Sequence, residues 1–75
     1  MKQLAPRITV DEKVCFGKPV IEGTRITVEV VLGHLAAGTS VDDVARDYDL
    51  RREDILACLA YAARTVAADQ IRAVS

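Results

Sequence analysis

TSVDDVARDYDLRREDILACLAYAARTV, Thr39 to Val66, carries two helical repeats separated by a break of only a few residues. Val41, Val44, Ala45 and Tyr48 fall at i, i+3, i+4 and i+7, the spacing of one buried helix face. Ser40 stands where its hydroxyl can accept from the amide of Asp43, with Asp43 reaching back as in a capping box. Asp49-Leu50 interrupts the repeat. A longer helix is predicted from about Arg52 to beyond Val66, with Ile55, Leu59, Ala62 and Val66 as its stripe, widened by Leu56 and Ala63. Two helices so closely joined, with Leu50 as an apolar plug in the connector and arginines opening the second helix, have the spacing of a helix-turn-helix.

Upstream lies a third helix. Thr27 is its N-cap candidate and Glu29 suits the positive end of its dipole. Val28, Val31, Leu32 and Leu35 form its stripe, and Gly38 ends it as a left-handed residue. Gly33, inside this helix, costs about 1 kcal/mol relative to alanine, which suggests close packing there.

Before Thr27 the pattern changes. Met1 to Pro6 reads as a short tail. Ile8-Thr9-Val10 alternates and favours a strand. Asp11-Glu12-Lys13 reads as a turn, Val14-Cys15-Phe16 as a second short apolar run, and Pro19 to Ile21 as a third, at a sheet edge. GKPVIEGTRITV, Gly17 to Val28, has the letters of a phosphate loop. A Walker A sequence places its lysine after the second glycine, however, and here Lys18 follows the first. The better reading is a hairpin in which Gly17 and Gly23 make turns while Ile21 and Ile26 pack on the helices. The Ile8 to Val10 strand has no obvious long local partner, and short isolated strands are unstable. Ile8, Thr9 and Val10 are therefore expected to pair across a two-fold axis and build a dimer. The fold class is α+β: a strand and hairpin segment over 1–26, a three-helix unit over 27–68 and a tail over 69–75, all in one domain.

The 75 residues are 51% hydrophobic, which argues against disorder, but without tryptophan the core must be thin. Residues 1–26 hold five Lys/Arg and three Asp/Glu, residues 27–50 one and five, and residues 51–75 four and three. An acidic middle thus lies between mildly basic ends. Neither an apolar leader nor an apolar span is visible, so a cytoplasmic protein with Cys15 and Cys58 reduced is expected, with no membrane partner. One histidine and two cysteines are too few for the usual zinc site. No catalytic set of side chains stands out, and neither enzyme activity nor a cofactor is expected.

Gly17 to Ala63 resembles the family known as domain of unknown function 433, whose members are described as VapB-like antitoxins. The marks are G-K-P-V-I-x-G-T-R-I, a helix, a glycine and capping serine, a short acidic helix ending in Asp-Tyr, and L-A-Y-A. The resemblance implies a winged-helix-like helix-turn-helix fold, a homodimer, and a role beside a PIN-like toxin, a ribonuclease that the antitoxin masks while repressing its own operon. The family commonly has Ser or Thr where this chain has Arg51. Arginine cannot cap the long helix in that way, so either Asp49 starts the helix earlier or the arginines serve an anion.

Candidate DNA contacts are Arg51 and Arg52, with Ser40 at the start of the preceding helix and Lys18 on the wing-like hairpin. Arg51 and Arg52 read equally as a solvated helix start. Asp42, Asp43 and Asp47 would repel phosphate. Gly17, Gly23, Thr24, Arg25 and Tyr61 read as structural. Arg25 can pair with Glu22, Asp42 or Asp43, or join Lys18 in a basic patch. Cys15 and Cys58 read as small buried hydrophobes, Tyr48 and Tyr61 as core residues with hydroxyls at the edge, and His34 as a surface or interface residue. Val66, Ile71 and Val74 on the end of the long helix are the candidate toxin-binding residues. A helix-turn-helix regulator without a toxin, and a dimeric adaptor that binds protein only, are the alternatives.

Overall fold

A computed structural model describes the backbone of residues 1–73 and the side chains of residues 1–69. Three strands, β1 (Lys2–Ala5), β2 (Ile8–Val10) and β3 (Val20–Ile21), precede three helices, α1 (Val28–Ala36), α2 (Val41–Asp47) and α3 (Arg52–Ala73). The architecture is α+β.

The sheet is antiparallel with order β1-β2-β3. β2 is its central strand: Ala5 and Gln3 face Ile8 and Thr9 on one side, and Ile21 and Val20 face them on the other. The expectation of a lone strand pairing across a two-fold axis is therefore corrected. Ile8 and Thr9 are paired on both sides, and both are buried within the chain. The missing partner was Met1 to Pro6, read as a tail but folded back as β1. Pro6 followed by Arg7 at φ 67° is the residue order of a type II turn, with positive φ at its second central position.

Side chains alternate across the sheet. Ile8 and Ile21 point to the helices and join Val28, Val31, Val44, Ala45, Ile55 and Cys58 in one core. Thr9 and Val20 occupy the other face, under the turns at Asp11–Val14 and Gly23–Arg25.

Val14-Cys15-Phe16 is not a strand. Cys15, Phe16 and Gly17 have φ of 49°, 59° and 77°, three left-handed residues in a row, and the Phe16 side chain is almost wholly exposed. The Gly23 turn does form (φ 79°). Thr24 closes it, its hydroxyl donating to the Ile21 carbonyl at 2.8 Å and accepting from the Ile26 amide at 3.0 Å.

The helix ends follow the sequence closely. Thr27 Oγ1 accepts from the Val30 amide at 3.1 Å. At the other end of α1, Gly38 (φ 99°) donates to the Leu35 carbonyl and Thr39 to that of His34, each at 3.0 Å, a complete Schellman turn. α2 closes in the same way. Asp49, at φ 55°, donates to Arg46, and Leu50 donates to Ala45 at 2.7 Å. Asp49 thus ends α2 and does not start α3. Ser40 caps α2 through the Asp43 amide at 3.1 Å, but the Asp43 carboxylate does not reach back; it pairs with Arg46 at 3.1 Å.

Gly33 is not a site of close packing: a Cβ placed there meets nothing within 4 Å. Gly33→Ala is therefore expected to raise the unfolding free energy by about 1 kcal/mol, measured by urea denaturation.

The buried face of α3 is rotated from the expected stripe. Ile55 and Cys58 are fully buried and Ala57 and Tyr61 pack beside them, whereas Leu56, Leu59 and Val66 are exposed. Side chains 63–69 are all exposed, so the later turns of α3 run past the core.

Candidate functional site

α2, the connector Tyr48–Arg51 and α3 form the helix-turn-helix pair anticipated from the spacing. Its N-terminal junction is built on Asp54. One Asp54 carboxylate oxygen accepts from the Arg51 amide at 3.0 Å, the reach-back half of a capping box, so α3 keeps that half although Arg51 cannot supply the other. The other oxygen accepts from Arg7 Nη1 at 3.0 Å, tying the β1–β2 turn to α3 across 47 positions of sequence. Arg7 also accepts from the Glu22 amide through its carbonyl at 2.8 Å. Neither Arg7 nor Asp54 stands out in the sequence. Asp54 does lie three residues after Arg51, the spacing of the second half of a capping box.

The residues assigned to DNA are mostly occupied within the chain. Arg52 Nη1 lies 2.8 Å from Asp42 Oδ1, and Lys18 Nζ lies 3.0 Å from Glu29 Oε1. The Ser40 hydroxyl is engaged in its cap. Arg46 is drawn to Asp43 and Asp47 at 3.1 and 3.6 Å. Arg51 is exposed and makes no ion pair among the described residues. The outer side of α2 is thus acidic, with its arginine already neutralised.

Arg25 is displaced from its expected structural role. Its side chain is exposed and forms none of the anticipated pairs with Glu22, Asp42 or Asp43. Only its carbonyl is used, accepting from Cys15 Sγ at 3.2 Å. Gly17 and Gly23 take the positive φ of turn residues, and Tyr61 packs half-buried on the core. Cys58 is fully buried, while Cys15 is only partly so. His34 Nε2 and the Tyr48 hydroxyl are 2.8 Å apart, a surface pair linking α1 to the end of α2.

Two surfaces are unusual in being apolar and open. Along α3, Leu56 (44% exposed), Leu59 (39%), Ala63 and Val66 (59%) recur at alternating spacings of three and four, the narrow seam by which one helix docks on another. Val66 belongs to the candidate toxin-binding set, whereas the side chain of Ile71, and Val74 altogether, lie outside the described residues. The second surface is a groove of about 340 Å³ between the segment leading into β3, α1 and α3, lined by Lys18, Pro19, Val28, Glu29, Leu32 and Tyr61. Among the described residues no helix is long and apolar enough to cross a membrane.

These features define a small α+β helix-turn-helix domain with an exposed apolar seam. The family model described as "Protein of unknown function (DUF433)" matches residues 8–62, and the chain belongs to that family. No curated protein and no solved structure matches the chain.

Proposed function

We propose that this protein is an antitoxin-type binding module that neutralises a PIN-like ribonuclease toxin through α3, acting by binding and not by catalysis. The observation that carries this reading is the exposed seam Leu56-Leu59-Ala63-Val66. A helix face of this kind, open to solvent in the free chain, suits the helix-in-groove mode of recognition. The toxin class comes from the family resemblance. The charge pattern favours a protein partner over DNA, since Arg52 and Lys18 are held by carboxylates and α2 presents acids.

The test is co-expression with the product of the neighbouring gene, followed by co-purification and a ribonuclease assay. Leu59→Glu leaves the core intact because Leu59 lies outside it. It is expected to weaken the complex at least about thirty-fold and restore ribonuclease activity, as for a central interface residue. Undiminished binding by Leu59→Glu removes α3 as the surface.

Operator binding is the second reading, favoured by the helix-turn-helix pair and by Arg51 at the free start of α3. Arg51→Ala and Arg52→Ala are then expected to weaken operator shifts and flatten their salt dependence. Unchanged shifts exclude this helix start as the DNA surface.

A further inference from the structure

Phe16 is 98% exposed, more than any other large apolar side chain described. It is also presented in an unusual way. Cys15 and Phe16 both lie in the left-handed region, which side chains with a Cβ seldom enter. The turn is nonetheless well tied. Gly17 donates to the Val14 carbonyl and Lys18 to that of Cys15, both at 3.1 Å, and Cys15 Sγ donates to the Arg25 carbonyl. The loop is thus held in an unfavourable conformation that turns an aromatic ring into water. Strain retained at an exposed position is characteristic of a binding element.

The apolar groove opens beside this knob. Pro19 on its wall is three residues from Phe16, so their Cα atoms lie within about 10 Å of each other. Phe16 does not fill the groove of its own chain. The geometry points to a second copy as the occupant: Phe16 of each chain seats in the groove of the other, between Pro19, Val28, Leu32 and Tyr61. A knob and a hole side by side on one surface are what a two-fold, self-complementary interface requires. Tyr61 offers the entering ring an aromatic neighbour.

The rim charges agree. Lys18 and Glu29 pair with each other at 3.0 Å on the rim, so the edge of the groove carries no net charge that would repel an identical surface. Two seated rings and the walls they cover remove roughly 600–1,000 Å² from water. With the rims added, the contact falls near the lower end of specific interfaces, about 1,200 Å².

This interface replaces the pairing of β2 strands and stands apart from the antitoxin reading. Tyr61 lies two positions from both Leu59 and Ala63, about 200° around the helix, so the groove and the seam occupy opposite sides of α3.

The test uses the full chain alone, by sedimentation equilibrium. Native protein is expected to show a monomer–dimer equilibrium, and Phe16→Gly to weaken it at least about thirty-fold, as for an aromatic anchor. Because glycine accepts positive φ, the same variant is expected to melt no lower than the native chain. Loss of dimer with unchanged or raised melting temperature therefore cannot be ascribed to misfolding. With a benzophenone amino acid at position 16 and mixed isotopic labelling, cross-links are expected between copies, to the 28–32 segment or to Tyr61. A native chain that stays monomeric up to millimolar concentration, a Phe16→Gly dimer as tight as native, or cross-links confined elsewhere would each overturn the proposal.

Discussion

Asp54→Ala is expected to lower the unfolding free energy by about 2 kcal/mol, more than most changes at a residue that is not wholly buried. Asp54 is 13% exposed and its two oxygens serve different elements. Loss of the contact to the Arg51 amide leaves the start of α3 without its side-chain cap, which costs about 1 kcal/mol. Loss of the Arg7 contact removes a charge-assisted bond between sheet and helix. Arg7 is 41% exposed and turns to water when released, so the second contribution is also held to about 1 kcal/mol. A 75-residue domain has about 4–11 kcal/mol in total, so the midpoint of thermal unfolding should fall by about 8–16 °C. Asp54→Asn keeps an acceptor for the Arg51 amide but gives up the charge, and should lose about half as much. Equal losses from both variants would show that the ion pair, and not the cap, supplies the stability.

The second large effect concerns alkaline pH. The Cys58 thiol is pushed from 9.0 up to about 11, by burial first and by the charge of Asp54 second. Below pH 9 the folded and unfolded chains both keep this proton, and the thiol adds no pH dependence. Between pH 9 and 11 the unfolded chain releases it while the folded chain retains it, so stability falls as the pH rises through that window. At about 1.4 kcal/mol for each pH unit, the loss attributable to Cys58 reaches about 2–3 kcal/mol by pH 11. Other groups titrate in the same range, so the measurement is the difference between native protein and Cys58→Ala in urea denaturation at each pH. A difference that stays constant from pH 8 to 11 contradicts the assignment. In the folded protein at pH 8, alkylation should reach Cys15 and spare Cys58.

What the sequence disclosed was local chemistry. Thr27 and Ser40 cap the helices they precede, and Gly38 takes the left-handed place that ends α1, because each depends on neighbours three or four residues away. The exposed side of α3 was harder to read. Leucine, valine and alanine cover so much of its circumference that several stripes have helical spacing, and the core selected the one through Ile55 and Cys58. β1 was missed because Lys-Gln-Leu-Ala lacks a clear alternation, and its strand state comes from pairing with β2. The Arg7–Asp54 link joins residues 47 positions apart and leaves no periodic trace. As for the candidate site, the sequence places Val66 in a toxin-binding set and Tyr61 only among structural residues, while the partners that occupy Lys18 and Arg52, and the outward turn of Phe16, depend on tertiary geometry.

The Arg7–Asp54 link also bears on how the chain folds as it is made. Ile8 and Ile21 share their core with Ile55 and Cys58, on a helix that leaves the ribosome much later. At about 5–20 residues per second, the 47 positions between Arg7 and Asp54 take roughly 2–9 s to synthesise. By the end of that interval the strands have one another, α1 and α2 to cover their apolar face, but not Ile55 and Cys58. The arrival of α3 is therefore the committing event of co-translational folding, and a nascent chain arrested before Asp54 should still expose the apolar side of its sheet.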